Sequence, residues 1–183
     1  VRHSRSVDLD QRLPISRVYK EPLEAIMNIA PRVQDYLAAQ QSAYELLSHP
    51  RSGNSVQTAI AAHVPAGCLA KAVVVKDDAG YVLAVLPSSC HVVLSRLGKA
   101  LHRLPLQLAD EAEFAMLFSD CERGALPPLG GVYGLPMIVD EALDAQPEVY
   151  FEAGDHEHLV HMTQAEFLRL TADAPRAHFS RPD

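Results

Sequence analysis

Apolar residues recur at two spacings between residues 31 and 172, and proline, glycine and capping residues mark each change from one spacing to the other. Pro31 followed by Val33, Tyr36 and Leu37 predicts a helix that opens on proline. Residues 44–49 read as a short strand. Residues 55–63 read as a helix with Ser55 as N-cap and Val56, Ala59 and Ile60 on one face. A β-branched run at 71–76 and an apolar run at 81–86 flank Asp77-Asp78-Ala79-Gly80, which predicts a hairpin. The second arm is apolar on both faces and therefore belongs at the centre of a sheet. A helix is expected at 92–101, and Asp110 with Glu113 offers a capping box ahead of Phe114, Met116 and Leu117. Residues 119–134 carry too much glycine and proline for a helix or a central strand. Short strands follow at 136–139, 148–151 and 158–162, the last two joined across Gly154-Asp155. Thr163 and Glu166 frame a second capping box for a closing helix to residue 170.

This order of elements lacks the strand–helix–strand alternation of a doubly wound sheet. It predicts an α+β fold, a mixed and mostly antiparallel sheet or partial barrel surrounded by helices. Residues 1–30, broken by Pro14 and Pro22, read as an N-terminal extension, partly disordered with a short helix at 23–29. Residues 31–172 form the domain, and residues 173–183 a loose polar tail.

Composition narrows the function classes. A chain of 183 residues with 48% hydrophobic and 21% charged content suits one ordinary globular domain with a real core. A net charge of −7 argues against a broad phosphate-binding surface, though a small basic mouth for one nucleic-acid end is compatible with it. Cys68, Cys90 and Cys121 include no CxxC pair, so neither a disulfide framework nor a zinc knuckle is expected, and the reducing cytoplasm is the natural compartment. No apolar run approaches a membrane span, and the first residues contain no apolar core of a signal peptide.

Lys71 opens the strand run Leu69-Ala70-Lys71-Ala72-Val73-Val74-Val75 and shares a face with Val73 and Val75. A cation there is costly to desolvate unless an anion meets it. It either grips a ligand or sits at the strand mouth and snorkels to water. The loop Gly124-Ala125-Leu126-Pro127-Pro128-Leu129-Gly130-Gly131 can bring rigid backbone close to a ligand, with amides free for a carbonyl or carboxylate oxygen. It can equally be a structural connection, and no Gly-Lys-Ser/Thr follows to make it a phosphate loop. Asp155, His156, His158 and His161 fit no closed metal site and read as a polar turn and strand. His49 lines a pocket or caps the turn before Pro50. Cys121 has no identifiable base to make it a nucleophile.

Lys71 and Gly124, taken in order with their surroundings, carry a family resemblance. The chain resembles the bacterial YbaK and prolyl-tRNA-synthetase-associated editing domains, which are aminoacyl-tRNA deacylases. The resemblance rests on the Lys71 strand, residues 81–87, Phe118-Ser119-Asp120-Cys121-Glu122-Arg123-Gly124-Ala125-Leu126-Pro127-Pro128-Leu129-Gly130, Pro136-Met137-Ile138-Val139-Asp140 and Val149-Tyr150-Phe151-Glu152-Ala153-Gly154. It implies that Lys71 stands in an aminoacyl pocket and is needed for deacylation. It also implies that the loop of Gly124, Ala125, Leu126, Pro127 and Pro128 holds the aminoacyl end, with Pro127 as an added proline. His49 and His156 are lesser candidates for pocket-lining polar groups. Water or the free ribose hydroxyl serves as nucleophile, so no cofactor or metal is expected. The expected substrate is a mischarged tRNA of the proline type or a related one, edited in trans with a synthetase or elongation machinery as partner. The alternative is a non-catalytic binding module for an aminoacyl end, and a poorer one a metal-dependent hydrolase using residues 156–161.

Overall fold

A computed structural model describes residues 29–183. Its elements follow the sequence pattern closely. Helix α1 (Pro31–Ala39) opens on proline and buries Val33 and Leu37. Strand β1 (Glu45–Ser48) leads to α2 (Ser55–Ala61), whose N-cap is Asn54 rather than the expected Ser55, its side chain accepting from Gln57 N. The buried residues of α2 are Thr58 and Ala59, while Val56 and Ile60, expected on the core face, are exposed. The hairpin is β2 (Ala70–Asp77) and β3 (Gly80–Pro87), turning at Gly80 with φ +115°.

Beyond the hairpin lie β4 (Cys90–Val92), which the sequence pattern merged into a helix, then α3 (Leu94–Leu101) and β5 (Gln107–Leu108). Helix α4 (Glu111–Leu117) carries the full capping box between Asp110 and Glu113. The glycine-rich segment ends in a single turn, α5 (Gly130–Tyr133). Strand β6 (Met137–Asp140), a 3-10 turn (Glu141–Leu143), β7 (Glu148–Glu152), β8 (His158–Thr163) and α6 (Gln164–Leu170) complete the expected order. Thr163 caps α6 by accepting from Glu166 N.

The fold is α+β with mixed, mostly antiparallel sheets that do not close into a barrel. A five-stranded sheet has the order β5-β2-β3-β6-β9, with β6 parallel to both β3 and β9 (Arg176–Ala177). A three-stranded antiparallel sheet has the order β1-β8-β7. A parallel bridge between Leu69 and Tyr150 joins the two. Alternation along β2 divides the interior. Ala70 and Val74 face one core with Val149, Phe151 and Leu129, whereas Val75 faces a second core with Leu86, Leu97 and Phe179.

The loose tail is overturned. β9 joins the large sheet, and β10 (Ser180–Pro182) pairs with β4. Phe179 is fully buried in the second core, and the buried Asp140 carboxylate accepts from the amides of Phe179 and Ser180 at 2.9 and 2.7 Å. A polar-looking segment is thus held by one aromatic anchor and one buried acid, neither of which makes a periodic signal. Ile29 and Ala30, expected in the extension, are buried in the first core, and Ala30 N donates to Ala153 O. The helix expected at 23–29 falls, save for Ile29, outside the described residues. No helix among the described residues is long and apolar enough to cross a membrane.

Candidate functional site

Lys71 is half-buried on β2, and its Nζ donates to Ser88 O at 3.3 Å. Burial pushes the ammonium below the ordinary lysine value, opposed by the negative charge of Asp183 and by Cys90. The hydrogen bond recorded for it therefore goes to the β3–β4 connection and not to the glycine-rich loop. Among the described residues Lys71 has no hydrogen bond or ion pair to the loop, to Glu152 or to His156. From the parallel bridge between Leu69 and Tyr150, Lys71 and Glu152 each lie two residues onward along their strands. Both belong to the alternation set opposite Ala70, Phe151 and the first core.

The glycine-rich loop is anchored at the β7–β8 turn. Glu122 N donates to Gly154 O at 2.8 Å, and the His156 ring donates through Nε2 to Arg123 O at 2.6 Å. Gly124 has φ +87°, and a Cβ there would stand 3.4 Å from His156 Cε1. Glycine is needed both for the backbone conformation and for the approach of the imidazole. Among the described residues no partner is recorded for Gly124 N. The Ala125 amide, expected to be available to a ligand, already donates to Glu122 O at 3.1 Å, because the chain tightens into a turn after Glu122. Ala125, Pro127 and Pro128 are buried, and Leu126 packs into the first core. All four are therefore buried, and of them Leu126 lines the neighbouring cleft.

His49 and His156 come to the same place. His49 N donates to Glu157 O at 2.8 Å and Ser52 N to His156 O at 3.3 Å. The His49 ring donates through Nδ1 to Pro50 O, as a residue of that turn, and its Nε2 is buried with no partner. His156 Nδ1 is likewise buried and unpartnered. Arg51 pairs with Glu122 across the rim.

Glu152 completes the cluster and went unnoticed as a site residue. It is only 4% exposed, and its Oε1 accepts from Thr58 Oγ1 at 2.8 Å, while Oε2 is buried without a partner. Ser52 Oγ stands 2.6 Å from the same Thr58 hydroxyl. Burial raises the Glu152 carboxyl to about 7, and the nearby Asp155 and Glu122 act in the same direction against the Thr58 hydrogen bond. One signal was available. An acid ends the strand Val149-Tyr150-Phe151, just as a cation opens the strand of Lys71.

Beside the loop lies a cleft of about 390 Å³ lined by Phe114, Phe118, Cys121, Arg123 and Leu126. Cys121 hydrogen-bonds Tyr133 Oη at 3.1 Å, and burial pushes its thiol up to about 11, which keeps it from serving as a thiolate. A somewhat larger cavity, about 430 Å³, opens at the hairpin tip between Lys76, Asp77, Arg103 and Gln107, remote in sequence from the loop. His158 bonds Asp155, while His161 stacks on Tyr150 and bonds Glu148, so these histidines are engaged in surface pairs.

A family model for the aminoacyl-tRNA editing domain matches residues 49–170, spanning Lys71, the loop, Glu152 and His156. The chain belongs to the aminoacyl-tRNA editing domain family. The match begins at His49 and ends with α6. Solved structures agree with it. A candidate trans-editing enzyme for prolyl tRNA synthetase is 26% identical, with a TM-score of 0.71 over 83% of this chain and 96% of that one. A candidate signal transduction protein from Marinobacter aquaeolei VT8 is also 26% identical, with a TM-score of 0.65, but the match spans 81% of this chain and only 30% of that longer one. The hypothetical protein APE2540 shares the fold at 21% identity and a TM-score of 0.72, over 82% of this chain and 99% of that one. No curated protein matches the editing-domain chain.

Proposed function

We propose that this editing domain hydrolyses the ester of a mischarged aminoacyl-tRNA in trans, releasing the amino acid and a tRNA with both terminal ribose hydroxyls free. The observation that supports this reading most is the family match across residues that include Gly124, whose amide has no partner among the described residues and whose neighbour Arg123 is bonded through its carbonyl to His156. An aminoacyl ester is already activated, so a cation and one well-aimed amide suffice to lower the barrier. Lys71 orients the terminal phosphate or carbonyl region as a fixed cation. The Gly124 N–H faces the ester oxygen as negative charge develops on it. Water attacks the carbonyl carbon, its oxygen becomes part of the released carboxyl group, and the ester oxygen leaves as the ribose hydroxyl after taking up the water's proton. The loop wall of Ala125, Leu126, Pro127 and Pro128, with His49 and His156 beside it, sets the size of the side chain admitted.

The similarity to a candidate trans-editing enzyme for prolyl tRNA synthetase supports a tRNA of the proline type or a related one as substrate. The net charge of −7 makes tight tRNA binding by this chain alone unfavourable, which supports delivery by a synthetase or by the elongation machinery. Cys68, Cys90 and Cys121 are free thiols, consistent with the cytoplasm where translation takes place. Deacylation measured over a panel of mischarged tRNAs tests the proposal. At least one ester should be cleaved far faster by the native chain than by Lys71→Ala. Equal rates for every ester would defeat the hydrolase reading, and retained binding of the aminoacyl end in that case would establish the binding module instead.

A further inference from the structure

The cluster between α2, β7 and the loop contains buried polar atoms that the described residues leave unsatisfied: His49 Nε2, Glu152 Oε2 and His156 Nδ1. Such atoms are rare in native structures, and three in one place call for a ligand. Glu152 is the acidic member. The groups that act on it are the Thr58 hydroxyl, which donates to Oε1, and the carboxylates of Asp155 and Glu122. Among the described residues no cation is one of them. Lys71, on the same alternation set, directs its Nζ to Ser88 O. The other two acids have their own partners, since Glu122 pairs with Arg51, and Asp155 accepts from the Glu157 and His158 amides and pairs with the His158 ring.

An aminoacyl ester carries an α-ammonium group on the carbon next to the carbonyl under attack. A site that holds the carbonyl at Gly124 must therefore accommodate a cation close by. We propose that the Glu152 carboxylate, positioned by Thr58, receives the α-ammonium group of the aminoacyl ester and restricts cleavage to esters whose amino group is free. The ammonium donates to Oε2, the atom left without a partner. Oε2 is closed to solvent in the free chain, so binding entails a local rearrangement around it. The carboxyl raised to about 7 by burial is consistent with a group awaiting its cation. This inference rests on the deacylase reading and adds to it the part of the substrate that is recognised.

The test compares a cleaved aminoacyl-tRNA with the same ester N-acetylated on the amino acid, for the native chain and for Glu152→Gln. The native chain should cleave the free-amino ester about 10- to 100-fold better in kcat/KM, the range expected for one charge-assisted hydrogen bond. Glu152→Gln, which can still accept from Thr58, should lose that preference by slowing only the free-amino ester. A merely structural role would slow both esters equally, and that outcome overturns the proposal. Equal cleavage of both esters by the native chain overturns it even if the variant does not fold, while leaving the deacylase reading intact. Cleavage of neither ester, across the whole panel, removes both.

Discussion

At the hairpin end of the molecule Glu113 accepts from Lys76 Nζ at 2.6 and 2.7 Å and from Tyr81 Oη at 2.7 Å, and it closes the capping box of α4. At the loop end Glu152 has, among the described residues, one hydroxyl and no cation. The same side chain is held down to about 2 in the first place, chiefly by Lys76, and pushed up to about 7 in the second, chiefly by burial. The hairpin end also has the larger cavity and the Arg103–Asp77 pair. Its charges satisfy one another, and they stabilise a turn. Among the described residues the loop end leaves polar atoms unsatisfied, and the family match over residues 49–170 spans both ends. Unmet polar demand, not cavity size, is what distinguishes the loop end from the hairpin end.

The contrast is sharpest in the two lysines. Lys71→Ala should lower deacylation by about 100-fold or more, the scale of losing a charged group at the reacting centre. Lys76→Ala, whose Nζ is already occupied by Glu113, should stay within about twofold of the native rate. Single-turnover kinetics on one mischarged tRNA decide it, and similar losses in both variants would erase the distinction between the two ends.

The two glutamates should give opposite pH slopes. In the fold Glu152 retains a proton that the unfolded chain releases above its ordinary value of 4.5. Its contribution is therefore fully present below 4.5 and is lost as pH rises towards 7, by on the order of 3 kcal/mol. Denaturant unfolding at pH 5 and pH 8 should show this loss in the native chain and a much flatter profile in Glu152→Gln. Identical slopes would mean that a cation or water already meets Glu152.

A smaller effect is expected at Gly124. Gly124→Ala meets both an unfavourable φ and a contact at 3.4 Å from His156. It should cost about 1–2 kcal/mol of stability and shift the amide, lowering kcat more than it raises KM. Gly80→Ala at the hairpin has a comparable φ of +115° but nothing within 4 Å, so it should destabilise without changing the rate of the folded protein. The smallest effect belongs to Glu113→Gln. Because Glu113 is held down, its contribution is present above 4.5 and is lost as pH falls towards 2. Acid titration of Tm should show a shallower fall in the variant than in the native chain.

Much of the fold was legible because its signals are local. Pro31, the Asp77–Gly80 turn and the Asp110–Glu113 capping box act within a few residues, and the helix starts and hairpin stand where they predict. The loose tail was misread because Phe179 and Asp140 act across 39 residues, and β4 because its partner strand β10 lies in that same tail, distances no periodicity spans. In the site, Lys71 and Gly124 stood out as an odd charge on an apolar strand and an odd concentration of glycine and proline. Glu152 and Thr58 did not, since an acid at a strand end and a threonine in a helix are ordinary by themselves.

The sequence alone determined most of the elements, their order and the residue types able to carry the chemistry, because backbone preference and side-chain alternation are properties of neighbours along the chain. Only the tertiary structure decided which of those residues meet. The Thr58 hydroxyl of α2 reaches Glu152, the β7–β8 turn brings His156 against Gly124, and Lys71 is held at Ser88. Whether a buried polar atom has a partner depends on strands and loops distant in sequence. The end of the molecule that pairs its charges can therefore be told from the end that reserves them only once the chain is folded.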